Sequence, residues 1–221
     1  AWPGPDGLSV YFVDVTERHR QQDGLARAAR QAQLVADVTA ALVETLDVEV
    51  AVGRLAQLCV PSLADWCIVT LTDDQEEALD RRHLRDVGCW HVDPALRAAV
   101  ESYTAHRLQA LGQESFVDRV IATRTAQPVP EPAHRTIAAL LADGEAKDML
   151  AVLRPEHAVL LPLRARGRIV GILSLFRDAD HGPFTPEDLT TAWEVAGRAG
   201  LALDNARLYR QQRLLAEALQ R

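Results

Sequence analysis

Lysine is almost missing from this 221-residue chain: Lys147 is the only one, and arginine supplies nearly all the positive charge. With abundant Ala, Leu and Pro, that suggests the codon bias of a GC-rich bacterial genome, which says nothing of function. Cysteine is scarce, at three residues, Cys59, Cys67 and Cys89. An odd number with no close pairing disfavours a disulfide framework and favours a reducing cytoplasm. Long apolar runs are missing too: Ala158 to Leu163 is far too short to cross a bilayer. The opening "AWPGPDG" lacks the charged and apolar blocks of a signal peptide, so the chain reads as the middle of a longer protein. A net charge of -7 disfavours nucleic acid and acidic membrane as partners, since both are anionic. What is there, 48% apolar and 25% charged residues, is the balance of a soluble globular protein.

The apolar pattern organises the chain. Tyr11, Phe12 and Val13 read as a strand with no second strand near it, and Asp14 and Thr16 as the start of a helix. Leu25, Ala28, Ala32, Val35, Thr39, Leu42 and Leu46 then recur in steps of three and four, the a/d seam of about three heptads. Ala29, Ala36 and Val43 widen that stripe, so part of the helix is expected to lie on a domain. Asp47 caps a shorter helix to Cys59, ended by Pro61. "DWCIVTLT" (65–72) predicts a strand followed by a turn at "DDQEE", and residues 78–92 a second strand. Asp93-Pro94 and Ser115 open helices. "TAQPVPEP" is extended, and short helices flank Asp143-Gly144. "HAVLLPLRARGRIVGILSLF" predicts a hairpin turning at Gly167, with both faces covered. Thr185 caps, and Pro186 begins, a helix that nothing breaks up to Arg221. Leu189, Trp193, Ala196, Gly200 and Leu203 suit packing on a sheet. Leu201, Leu208, Leu215 and Leu219 form a narrow stripe suited to a partner helix. The order predicts an α+β domain on an antiparallel sheet of five to six strands, with helices on both sides and long helices at both ends.

"LLPLRARGRIVGILSLFRDADHGPFTPEDLTTAWEVAGRAGLALDNARLYR" (160–210) resembles the GAF family, a fold related to PAS. "LDVEVAVGRLAQLCVPSLADWCIVTL" (46–71) looks like its leading helix and first strand. The "DWC" strand, His91-x-Asp93-Pro94 and the ending "LAEALQR" are similar to GAF domains of actinobacterial regulators that carry a SpoIIE-type serine/threonine phosphatase domain. "YFVDVTERHR" resembles the last strand and exit motif of a PAS domain. The resemblance implies residues 1–15 as a PAS remnant, 16–46 as a connecting signalling helix and 47–204 as the GAF domain. Residues 205–221 would then lead toward an effector domain.

It also implies a non-catalytic cytoplasmic sensor, a homodimer through its terminal helices, that binds a small molecule or partner between its sheet and residues 78–155. Pocket candidates on the helices are Tyr103, His106, Phe116, Arg119, His134 and Met149; Cys67, Cys89 and His91 lie on or beside the sheet. The alternative is a ligand-free dimerisation module. Cyclic-nucleotide binding fits poorly: Phe184 and Asp188 keep the Phe-x-x-x-Asp spacing, but Phe176 and Arg177 stand where Asn-Lys is usual. Bilin motifs do not occur. Cys89, His91 and His83 could offer a haem ligand, yet lack usual zinc spacing. Methionine sulfoxide reduction by cysteine lacks an activating setting for any of the three thiols. No metal and no specific cofactor are expected.

Overall fold

The structure is a computed structural model describing residues 2–4, 7–9, 16–43, 47–72 and 81–219. The side chains of residues 2–4, 7–9, 16–23, 27, 43, 81, 214, 215, 218 and 219 lie outside that description. So do the expected strand at Tyr11–Val13, the turn at 73–77, Leu46, and the side chains of Leu215 and Leu219. The chain divides into two units, Ala1–Gln33 and Leu34–Arg221.

In the first unit two short strands, β1 (Trp2–Gly4) and β2 (Gly7–Ser9), pair antiparallel. Glycines and prolines there hid both strands from a propensity reading. The same unit holds the first part of α1 (Thr16–Val43).

The second unit is built on one antiparallel sheet. Its strands are β3 (Trp66–Thr72), β4 (Leu84–His91), β5 (Gln127–Val129), β6 (His157–Ala165) and β7 (Arg168–Arg177). Their order across the sheet is β4-β3-β7-β6-β5. The sheet therefore has five strands. β6 and β7 form the expected hairpin, and Arg166 and Gly167 turn it with φ of 48° and 80°. Two successive positive φ values make the tight turn that matches strand twist. The short β5 includes Pro128, which an edge strand tolerates because one side of it carries no ladder.

Helices cover both faces. One face packs α2 (Val48–Cys59), α7 (Pro186–Leu219) and the end of α1. Cys67, Val69, Leu71, Leu161, Leu173 and Leu175 point into that layer. The other face packs α3 (Arg97–Ala110), α4 (Phe116–Thr123), α5 (Ala133–Ala138) and α6 (Glu145–Leu153). Trp66, Ile68, Leu160, Ile172 and Phe176 point there. The two-residue alternation of β3 and β7 thus supplies both cores at once.

The helix starts follow local chemistry. Asp47 accepts from the amides of Glu49 and Val50. Ser115 and Asp118 form a reciprocal capping box, as do Thr185 and Asp188. Two expectations for the long helices need correction. Val35 and Leu42, read as dimer seam, are buried in their own domain with Leu34 and Val38. Thr39, on the same helix, donates to the Val35 carbonyl and accepts from Arg198 of α7. A three-heptad seam and an amphipathic surface helix differ too little in period to be told apart over this length. Trp193, expected on the sheet, is 36% exposed; smaller neighbours, Ala192, Val195, Ala196 and Ala199, make the contact. Leu25 and Leu201 are exposed, at 73% and 52%, and Leu208 is half-buried.

Candidate functional site

The layer beneath α3 to α6 holds a cluster of buried rings and a buried ion pair. Trp66 is the ladder partner of both His91 and Phe176, so the three rings stack across adjacent strands. Trp66 and Phe176 are parallel at 3.7 Å, and His91 lies on the same stack at 6.5 Å. Tyr103 of α3 meets Trp66 edge-on at 5.9 Å. Such pairs add about 0.5–1.5 kcal/mol each beyond area burial. His91 Nδ1 accepts from the Asp93 amide at 2.9 Å, which puts the ring proton of the neutral form on Nε2. Burial pushes the His91 pKa down, favouring that neutral form. His91 Nε2, Trp66 Nε1 and Ser174 Oγ are buried on this face without a hydrogen-bond partner.

Next to this stack lies a buried ion pair. A bulge between Val69 and Thr70 shifts the register so that Thr70 faces Asp86 on β4. Arg107 donates through Nε to Asp86 Oδ2 at 2.6 Å, and through Nη2 to Asp86 Oδ1 at 2.8 Å and to Thr70 Oγ1 at 2.9 Å. Thr70 in turn donates to Asp86 Oδ1 at 2.6 Å. Both charged side chains are 3% exposed. Burial alone would lower the Arg107 pKa; the Asp86 charge outweighs it and holds the guanidinium ionised. Burial likewise pushes the Tyr103 hydroxyl up to about 12. A groove of about 470 Å³ opens between β4 and α3, with Asp86 in its lining. Arg82, Arg85, Thr104 and Gln109 supply its polar groups; Leu84, Ala105 and Leu108 supply apolar wall.

The expected pocket residues separate into groups. Cys89, His91, Tyr103, Phe116 and Met149 contribute to this layer. Cys67 does not: β3 alternation turns it to the opposite face, where its Sγ sits 3.5 Å from the Ala56 carbonyl. His106 and Arg119 are exposed, the first bonded to the Ser102 carbonyl and the second lying over the Phe116 ring. His134 is half-buried, its Nδ1 3.2 Å from the Pro155 carbonyl. Sequence reasoning missed Asp86, Arg107, Thr70 and Ser174. The available signals were an acid inside a strand, where acids are depleted, and an arginine four residues after Tyr103 on one helix face.

The thiols are not poised for nucleophilic chemistry. Burial pushes Cys59 up to about 12, Cys67 well above its ordinary value, and Cys89 upward as well. Among the described residues no group of three or more His, Cys, Asp or Glu could hold a metal ion. No described helix is long and apolar enough to cross a membrane.

At the far end of β7, Arg177 is buried and donates to the carbonyls of Leu63 and Pro183 and to Asp188 Oδ2, with its guanidinium over Phe184. Phe184 and Asp188 therefore serve the joint between β7 and α7. Burial alone would raise the Asp188 pKa; the Thr185 amide and Arg177 outweigh it and hold the carboxyl below its ordinary value.

Nearby Asp178 is raised to about 6, first by burial and then by the charges of Asp65 and Asp180. An acid whose folded pKa lies above its ordinary 3.8 stabilises the fold while protonated and loses that contribution as pH rises through about 6. Asp178→Asn should therefore raise the melting temperature at pH 7 and leave it unchanged at pH 4. Thermal unfolding at both values checks this; an equal effect at both would contradict it.

Two comparisons place the architecture. The family model described as GAF domain matches residues 36–204. A GAF domain from a phosphoenolpyruvate-protein phosphotransferase of Coxiella burnetii superposes with a TM-score of 0.59 at 14% identity, covering 83% of this chain and 98% of that one. The GAF domain of a protein assigned as a sensor histidine kinase from Pseudomonas syringae pv. tomato gives 0.53 at 17% identity, covering 90% and 99%. Free methionine-R-sulfoxide reductase from Neisseria meningitidis, in complex with its substrate, gives 0.54 at 14%, covering 91% and 98%.

Proposed function

The chain belongs to the GAF domain family, and on that premise we propose that it is a sensory, non-catalytic regulatory module. A small molecule or partner engages the layer between the sheet and α3 to α6, and the long helices on the opposite face carry the response. The observation that carries this reading is the sharing of β3 and β7: the same two strands line the polar-rich layer on one side and the α1–α2–α7 layer on the other. A shift of either strand moves both layers, which gives a ligand with different affinity for two states a means of changing the output. Solved relatives named for a sensor histidine kinase and a phosphotransferase support a regulatory setting. The relative that reduces methionine sulfoxide does not weigh against it, because the thiols here are held protonated.

In the finer reading the output is a downstream SpoIIE-type serine/threonine phosphatase domain, upstream of which stands a PAS domain, in a cytoplasmic regulator of bacterial origin. It rests on the resemblance of "YFVDVTERHR" and "LAEALQR" to such proteins. The module works as a homodimer, for which exposed Leu201 and Tyr209 on α7 offer apolar contact. The competing reading is a ligand-free dimerisation module, favoured by the dense ring stack of Trp66, Phe176 and Tyr103, which already fills much of the layer.

A melting-temperature screen against a metabolite library separates the two. A sensor gains stability with a saturable ligand, since binding the native state alone raises its melting point, by about 2.7 kcal/mol at a hundredfold excess over Kd. A spacer gains nothing across the library. Sedimentation at high protein concentration tests the dimer: a monomer both alone and with ligand would remove the helical relay.

A further inference from the structure

We propose that the ligand of the layer under α3 to α6 is an uncharged molecule with an apolar body, which offers a carbonyl-type hydrogen-bond acceptor to Trp66, His91 and Ser174. This rests on the ligand-responsive reading and names the ligand class. Strand register brings the three side chains together. Trp66 on β3 lies directly opposite His91 on β4. Ile68, two residues on from Trp66 and on the same face, lies opposite Ser174 on β7. Ser174 is therefore the diagonal neighbour of Trp66. Each of the three residues is at most 1% exposed, and Trp66 Nε1, His91 Nε2 and Ser174 Oγ have no partner in the protein.

The chemistry of the three atoms selects the ligand. An indole N–H donates and cannot accept. His91 Nδ1 is taken by the Asp93 amide, so Nε2 carries the proton and also donates. A serine hydroxyl donates as readily as it accepts. What all three lack is an acceptor, and a buried donor left without one is costly. The surroundings exclude charge. Asp86 and Arg107 already neutralise each other, and Ile68, Val100, Leu150, Leu160 and Ile172 belong to the same buried cluster as Trp66. An ion there would lose its hydration and gain no counter-charge. Room for the body comes from the helices, since β3 and β7 are each paired on both sides. α4 and α5, of eight and six residues, are the shortest helices that cover the face. Half-buried Met149, packed against the same cluster, is an adaptable side chain.

The indole N–H signals of the full chain, followed by proton–nitrogen NMR, test this with acetophenone and cyclohexanone as probes. Ethylbenzene, which lacks the oxygen, and benzoate, which adds a charge, are the controls. The chain has four tryptophans, and Trp2→Phe, Trp90→Phe and Trp193→Phe assign the Trp66 signal by elimination. That signal is expected to move downfield and saturate with at least one ketone, while the other three stay in place. Both controls should bind at least about tenfold more weakly. Ser174→Ala removes one donor and should weaken the ketone by about threefold to tenfold. The melting temperature of the free variant should be no lower than the parent's, a split that a purely structural serine would not give. No saturable movement of the Trp66 signal with either ketone overturns the proposal. So does either control binding as tightly as the ketone, or an affinity unchanged in Ser174→Ala. If the ketones fail while a library metabolite raises the melting point, the ligand class falls and the sensory reading stands. If neither binds, both fall.

Discussion

Gly200→Ala should destabilise the protein by about 2 kcal/mol, although alanine is the better helix former by about 1 kcal/mol. A Cβ at Gly200 would come within 2.5 Å of both the nitrogen and the oxygen of Arg164, and 2.9 Å of its carbonyl carbon. These are backbone atoms at the irregular step of β6, where the register shifts between Leu163 and Arg164. They cannot turn aside as a flexible side chain can, so helix and strand must separate or the helix must slide. Gly197, one turn earlier on α7, has nothing within 4 Å of its built Cβ. Gly197→Ala should therefore stabilise by about 1 kcal/mol from helix propensity alone. Urea unfolding of the two variants beside the parent reads both signs. A stabilising Gly200→Ala would show that α7 does not approach β6 this closely in solution.

The second large effect concerns Asp86 and Arg107. Replacing either alone, Arg107→Met or Asp86→Leu, leaves a buried charge uncompensated and should cost about 3–5 kcal/mol. The double replacement should fall within about 1–2 kcal/mol of the parent, because the apolar pair removes both desolvation penalties. The double-mutant cycle then gives a large coupling, which a surface pair would not. Singles that cost under about 1 kcal/mol would mean that the pair is hydrated.

Much of the architecture could be read in advance because its signals are local. Thr185, Pro186 and Asp188 announce α7; Ser115 announces α4; Gly167 announces the β6–β7 turn. Each acts within a few residues of itself. Residues whose roles depend on distant partners were not legible. Asp86 and Arg107 are 21 residues apart, and a charged side chain alone predicts a solvated surface. Val35 and Leu42 looked like a seam for a second helix because the pattern shows that a face is apolar, not what covers it. Cys67 was grouped with pocket residues although a single step along a strand reverses the face, and only the register decides which. β5 escaped because Pro128 argues against a strand unless the strand is known to be at an edge.

The two-sided burial of β3 and β7 has a consequence for how such a protein can diversify. From Cys67 to Val69 and from Ile172 to Phe176 every side chain is buried, so any substitution disturbs one helix layer or the other. Those strands can change only slowly and in compensated pairs. β4 and α3 carry exposed and half-buried positions and can vary one residue at a time. In descendants of this chain, sequence change would therefore collect along that rim, while the sheet beneath it kept its spelling.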